Sequence, residues 1–324
     1  MKTLFQRIFV IAALTFVGSN QTFAADNFPS KPIHIVVTSA AGGWLDVTTR
    51  FVAQQLGEKL GQPVVVENRA GAGGLVALRA VKSAPADGYT LLAGVNTIAI
   101  QQVIQSDPGY DLTKDYTAIG GLARAPFLLM VGPSQADKTL ADFVARSKAN
   151  PGKLTYGSAG DGSTTHLSAA AFVQAAGVDL VHVPYKGNSA AWPDVISGRV
   201  TMIFEPFGTA SAMIREGRMR ALGVSSVKRL SVLPDVPTMS EQGASGYNFY
   251  LWLGLVAPVG TPKDVVQKLS VALRSAIATP QVQDRLRGEG SEAINMSPEE
   301  FNRFIAQETT AMAKLVTDMK LAKQ

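Results

Sequence analysis

The sequence predicts an α/β protein built as two sheet-and-helix blocks in series. Two observations carry this. Short runs rich in β-branched residues alternate with helix-period segments from Ile33 to Gly94, and the same alternation restarts near Arg124 and continues to Val224. The 30 glycines and 17 prolines of the 324-residue chain fall largely at the junctions. Strands that alternate with helices in this way call for a mostly parallel sheet covered on both faces. A 46% hydrophobic content excludes a disordered chain and is ample for a sizeable core.

The first block opens with the buried strand 33–38, which ends in the small-residue turn Ser39-Ala40-Ala41-Gly42-Gly43. A helix is expected over 46–60, with Val47, Phe51, Leu56 and Leu60 on its inward face and Gly61 ending it. Strand 63–67, a loop over 68–74, helix 75–81 and strand 90–94 follow. The second block repeats the pattern with strand 127–131, a helix capped by Thr139, and strand 155–158. Helix 164–176, a strand at His182-Val183, helix 189–197, strand 201–204, helix 209–216 and strand 221–224 complete it. After a Pro- and Gly-containing crossover (233–246) come strand 251–256 and two terminal helices. Thr261 is the expected cap of the first of these, with Pro262 at its first position. Ser297, Pro298 and Glu300 form a capping box for the second. These helices need a sheet to cover, and the first block is the natural one. The expected organisation is therefore a discontinuous domain 1 (25–124 plus 246–324) with domain 2 (125–245) inserted and a ligand cleft between them.

Location is read from the first residues. Lys2 and Arg7 precede an apolar stretch over 8–17, and Thr22-Phe23-Ala24 places small residues where a signal peptidase cuts, so 1–24 reads as a secretory signal peptide. The apolar run is too short for a membrane anchor. With no cysteine, disulfides, thiol chemistry and lipid attachment at a cysteine are excluded. The net charge of +5 falls to +3 once Lys2 and Arg7 are removed, and its Lys and Arg are scattered, so no nucleic-acid partner is expected.

Two loops have the chemistry to hold a ligand. Ala41-Gly42-Gly43-Trp44 and Ser158-Ala159-Gly160-Asp161-Gly162-Ser163-Thr164 each follow a strand and enter a helix. Their glycines let the backbone approach a ligand, and the unpaired N–H groups of the helix suit a carboxylate. The glycine-rich stretch 68–74 also lies between strand and helix, but its spacing departs from a dinucleotide fingerprint, and a packing or hinge-side role is expected for it. No cofactor or metal site is expected. Catalytic motifs are absent, and the remaining enzyme reading is a secreted hydrolase using Ser163 with His166.

An ordered series of motifs resembles the extracytoplasmic receptors of tripartite tricarboxylate transporters, the Bug family. It includes Pro29-Ser30-Lys31-Pro32-Ile33, Gly42-Gly43 with Asp46, and Gly61-Gln62-Pro63-Val64-Val65-Val66-Glu67-Asn68-Arg69. Pro85-Ala86-Asp87-Gly88-Tyr89, Tyr156-Gly157-Ser158-Ala159-Gly160, His182-Val183-Pro184-Tyr185-Lys186-Gly187 and Leu233-Pro234-Asp235-Val236-Pro237 continue it. Ala257-Pro258-Val259-Gly260-Thr261-Pro262 and Ser297-Pro298-Glu299-Glu300-Phe301 complete it.

The resemblance implies a two-domain periplasmic binding protein (type II-like) whose hinge consists of two crossovers. It also implies a monomer without enzymatic activity that delivers a small organic acid to integral-membrane permease subunits. By position it places ligand contacts on Ala41, Gly42, Gly43, Trp44, Asn96, Thr97, Ser158, Ser163, Thr164, Asn188 and Glu205. A sensor-coupled receptor is the alternative role.

The sequence departs from the family pattern where the ligand belongs. Thr38-Ser39-Ala40-Ala41 stands in place of a Pro-rich turn, Trp44 in place of a small hydroxyl residue, and Glu205-Pro206-Phe207 in place of an Asp-Asn pair. With Trp44 and Phe207 facing the cleft from opposite sides, the expected ligand carries a flat apolar body as well as a carboxylate.

Overall fold

The computed structural model describes residues 28–319, so the expected leader over 1–24 lies outside the described residues. Strands β1 (Ile33–Val37), β2 (Val64–Asn68) and β3 (Thr90–Val95) are parallel in the order β2-β1-β3. The crossover helices α1 (Trp44–Leu60) and α2 (Leu75–Lys82) join them. After α3 (Asn96–Ile104) the chain enters β4 (Tyr116–Val131), a single strand of 16 residues.

This strand belongs to both sheets. Tyr116 to Pro126 pair antiparallel with β9 (Tyr250–Pro258), which itself pairs antiparallel with β3. Phe127 to Val131 pair with β7 (Met202–Pro206), and most of that stretch also pairs with β8 (Arg220–Val224). The second sheet is completed by β5 (Leu154–Ser158) and β6 (Leu180–Pro184), both parallel to β7. The result is two lobes of mixed sheet flanked by helices, joined where β4 passes from one sheet into the other.

The sequence pattern showed only the second half of β4. Its first half is hidden by Gly120 and Gly121, which lack the bulky side chains of a recognisable strand. Packing requires them there, because a Cβ on Gly121 would stand 2.9 Å from the Ile294 carbonyl oxygen and one on Gly120 3.0 Å from that of Met296. The segment leading into the last helix lies directly on this part of the strand.

Helices α4 (Leu140–Ala149) and α5 (Thr164–Ala176) cover one face of the second sheet, with α6 (Trp192–Ile196) and α7 (Phe207–Arg215) on the other. Thr139 and Asp142 close a capping box on α4, as Ser297 and Glu300 do on the last helix. The terminal helices α8 (Lys263–Ile277) and α9 (Pro280–Gly288), the short strand β10 (Glu292–Ala293) and α10 (Pro298–Asp318) return to the first lobe.

Helix α10 spans both lobes. Phe301 and Ile305 join the first lobe's core, whereas Met312 and Val316 join the core of the second. Phe301 lies so close on β9 that Gly254 has no room for a side chain, since a Cβ there would fall 1.9 Å from the ring. One cap differs from expectation. Thr261 is buried with its hydroxyl donated to Pro258, and α8 starts after Pro262 without a side-chain cap. No described helix is long and apolar enough to cross a membrane.

Candidate ligand-binding site

In both lobes the parallel strands end at the same crevice, the position where α/β sheets present helix N-termini to a ligand. A cavity of about 440 Å³ lies there, within the size range of small-molecule sites. Five described α-helices begin at it. Gly43, Trp44 and Leu45 come from the start of α1, Gly74 from that of α2, and Thr97 from that of α3. Ser163, Thr164 and Thr165 come from α5, and Pro206 and Thr209 from α7.

No Lys, Arg or His is among the described residues lining it. Positive potential for an anion therefore comes from backbone N–H groups and helix dipoles, each helix contributing about half an elementary charge at its N-terminus. Helix α1 has no side-chain cap. On α5 the Ser163 hydroxyl accepts the His166 N–H, and the backbone N–H groups of Thr164 and Thr165 have no partner among the described residues.

Each lobe secures its loop differently. In the first, the buried Asp46 carboxylate accepts the Gly42 N–H at 2.8 Å, Arg50 Nε at 2.9 Å and Asn68 Nδ2 at 2.9 Å. Burial alone would push Asp46 up, but the Gly42, Asn68 and Arg50 donors outweigh it and hold the group below its ordinary value. In the second lobe, Ser158 Oγ lies 2.6 Å from His182 Nε2 and accepts the Gly160 N–H at 3.1 Å. His182 stacks on His166 with ring centroids 3.8 Å apart, and His166 Nδ1 accepts the Gly162 N–H at 3.1 Å. Burial lowers His166 to about 4 and lowers His182 as well, so the stack is uncharged at neutral pH.

The expected contact residues divide accordingly. Gly43, Trp44, Thr97, Ser163, Thr164, Asn188 and Glu205 line the cavity. Gly42 does not, because its N–H is taken by Asp46, and Ala41 is exposed beside it. Asn96 turns into the framework, donating to the Tyr250 carbonyl and accepting the Trp252 N–H. Ser158 is 0% exposed and serves as a loop clamp. Phe207 packs against the turn at Gly290 instead of facing Trp44, and Phe127, Pro206 and Leu251 supply the apolar wall.

The sequence reading missed Gly71, Gly73 and Gly74, which line the cavity rather than serving only for packing. The same rule that found the other loops, a strand's carboxyl end leading into a helix, points to them. Thr38, Ser39 and Thr209 also reach the cavity, by tertiary placement.

Two chemical alternatives fail on geometry. Asp161, His166 and His182 bring potential metal-ligand atoms within 4.8 Å of one another. The imidazoles, however, are parallel to within 8°, so no single ion can lie in both ring planes. The order Ser158–His182–Asp161, with His182 Nδ1 3.3 Å from Asp161, has the sequence of a serine triad. The serine is sealed from solvent, and no substrate carbonyl can reach it. Ser163 meets the backbone N–H of His166 and the Thr165 hydroxyl, so the alternative Ser163–His166 pair is not assembled as nucleophile and base.

Comparison with known proteins agrees with this architecture. Residues 48–321 match the model of the "Tripartite tricarboxylate transporter family receptor". The chain is 35% identical over 312 residues to the "UPF0065 protein in tcbD-tcbE intergenic region" of Pseudomonas sp. (strain P51), covering 96% of this chain and 93% of that one. It superposes on the periplasmic binding protein BugD with a TM-score of 0.81 at 32% identity, covering 92% of this chain and 100% of the other. For R. palustris Rpa4515 with adipate the TM-score is 0.84 at 32% identity, with coverage of 91% and 99%. The two-lobed fold, the crevice built from helix N-termini and a match over nearly the whole described chain lead to one conclusion: the protein belongs to the tripartite tricarboxylate transporter receptor family, the periplasmic receptors that bind a small carboxylate and deliver it to a membrane permease.

Proposed function

We propose that the ligand of this receptor is a monocarboxylate with a flat apolar body and a hydrogen-bond donor at its far end. The observation that carries the reading is the composition of the cavity: uncharged donors at the helix starts, apolar rings beside them, and an acceptor-rich wall on the second lobe. The carboxylate is assigned to the N–H groups at Trp44 and at Thr164-Thr165, with the hydroxyls of Thr97, Ser163 and Thr164 beside them. Trp44 is only 7% exposed and its indole N–H is donated to Ser291 at 3.1 Å, so the ring serves as apolar surface. A ring stacked or edge-packed there gains about 0.5–1.5 kcal/mol beyond its buried area.

Glu205 shapes the other end. It is buried and accepts hydrogen bonds from Asn188, Trp192 and Thr209 at 2.5, 2.6 and 2.8 Å. Burial nevertheless raises its pKa. Asn188 Oδ1 is buried nearby without a partner among the described residues. A second ligand carboxylate meets these acceptors unfavourably, whereas a hydroxyl, an amine or a protonated ring nitrogen is matched to them. Adipate, held by the R. palustris relative, is an aliphatic dicarboxylate and forms the natural contrast.

The lobes themselves are assigned as 25–124 plus 246–324 and 125–245, moving about β4 near Pro126 and the chain entering β9. Tryptophan fluorescence titration with hydroxybenzoates and pyridine carboxylates, beside adipate, succinate, citrate, aspartate and glutamate, tests the reading. Micromolar binding of an aromatic acid, weakened at least tenfold by Trp44→Ser, is expected. Tight binding of an aliphatic dicarboxylate that Trp44→Ser leaves unchanged would overturn it.

A further inference from the structure

A second cavity, of about 520 Å³, lies on the seam between the lobes outside the ligand crevice. Its walls come from both. The first lobe contributes Arg287 of α9 and the turn at Gly290 and Ser291, and the second contributes the loop that follows β8. Among the described residues four cations line it: Arg124, Lys228, Arg229 and Arg287.

Their partners leave net positive charge. Arg124 is tied to Glu292 at 2.8 Å, the one carboxylate among the described lining residues, and lies over the Tyr250 ring at 4.4 Å. Arg229 and Arg287 pair with Glu241 and Asp284, neither of which lines the cavity, and Lys228 has no ion pair among the described residues. Val227, beside Lys228, is 65% exposed, the most exposed large hydrophobic side chain described. Cations around an exposed apolar residue form an anchor of the kind that recognises a protein segment, with charge setting register and encounter rate.

The cavity also adjoins the ligand site. Ser291 lines it, and the Ser291 hydroxyl accepts the indole N–H of Trp44, which lines the crevice. Beside this contact, Phe207 and Gly208 of α7 meet Gly290 and Trp44 across the lobe boundary. A movement of one lobe against the other therefore changes the shape of the cavity, and ligand at Trp44 bears on its wall.

We propose that this basic seam cavity is the docking socket for an acidic, carboxylate-bearing segment of the membrane permease, and that its two-lobed wall lets the permease distinguish the relative position of the lobes. The proposal rests on the permease partnership of the family and is independent of which acid fills the crevice.

The test is cosedimentation of the mature receptor with proteoliposomes holding the two permease subunits, at low and moderate salt. Lys228→Glu/Arg287→Glu is expected to raise the apparent Kd at least tenfold at low salt, with a smaller effect at moderate salt because exposed charges are screened. Lys59→Glu/Lys268→Glu, exposed and outside the cavity, controls for net charge. The milder Lys228→Gln/Arg287→Gln pair, compared by urea midpoint, guards against a folding defect. An unchanged Kd for the first variant, or an equal loss in the control, would overturn the proposal. So would equal binding of the unmodified receptor to phosphatidylglycerol vesicles without permease, which would assign the charge to lipid. Fluorescence titration of the same variants with the acids named above keeps this outcome separate from any failure of the ligand reading.

Discussion

The two ligand loops perform the same task with opposite chemistry. In the first lobe a carboxylate, Asp46, holds the Gly42 turn from behind and keeps its own charge on Arg50 and away from the crevice. In the second, two stacked neutral imidazoles and a sealed serine hold the loop that enters α5. Both leave N–H groups at a helix entry for an anion. The difference shows that a negative group can support an anion site if cationic and amide donors satisfy it on the far side. It also shows that imidazoles can do so uncharged, because burial keeps them from taking a proton.

The largest expected effect comes from breaking the first clamp. Asp46→Ala leaves Arg50, Asn68 and the Gly42 N–H without their shared acceptor, and should lower stability by about 3–4 kcal/mol, because three hydrogen bonds to a charged acceptor are lost while the half-exposed Arg50 stays solvated. Urea unfolding followed by circular dichroism measures it. A loss below about 1 kcal/mol would show that the carboxylate is not the clamp described.

Acid should distinguish the lobes next. Folded His166 takes its proton at about 4, whereas the unfolded chain does so near the ordinary 6.5. Between these values the unfolded state binds more protons, so stability falls as pH drops from 6.5 to 4 and then levels, by about 3 kcal/mol in all. The groups facing His166 are His182, Asp161 and Tyr156, of which Asp161 opposes the shift. Asp46 responds later. Its pKa is depressed from 3.8, so its contribution is complete above that value and is lost only as pH falls through its lower folded value. Urea midpoints from pH 7 to 3.5 should show the histidine slope first, and His166→Phe should flatten it. A slope unchanged in that variant would remove His166 as its cause.

Across the crevice, Thr97 and Thr164 meet hydroxyl to hydroxyl at 2.8 Å, one from each lobe. Thr164→Val should weaken carboxylate binding by about 2 kcal/mol while leaving the unfolding midpoint nearly unchanged. Calorimetry with the tightest acid found in the fluorescence titration reads this directly, and an unaltered affinity would remove Thr164 from the site.

The smallest effect tests whether the lobes are equally well capped. Thr139→Ala on α4 and Ser297→Ala on α10 each remove one side-chain cap from a complete capping box. Each should cost about 1 kcal/mol. A much larger loss for Ser297→Ala would show that α10, which reaches both cores, links the stability of the two lobes.

Much of this molecule is written locally in its sequence. The βαβ alternation set the parallel strands β1 to β3 and β5 to β7. Ser297-Pro298-Glu300 set the start of α10, and strand-to-helix turns marked two of the ligand loops, because periodicity and capping are interactions among residues close in the chain. Tertiary structure alone decided the rest. β4 reads as half a strand until the Ile294–Met296 segment is seen to require Gly120 and Gly121 beneath it. Phe207 has the composition of a ligand-facing ring, yet it packs against Gly290, a partner 83 positions away that no local pattern reveals. Ser158 and Gly42 have the right chemistry for an anion but are already engaged by His182 and Asp46. Residue type determined which groups were able to bind a carboxylate, and packing determined which were left free to do so, since a donor already satisfied inside the fold gains little from a ligand.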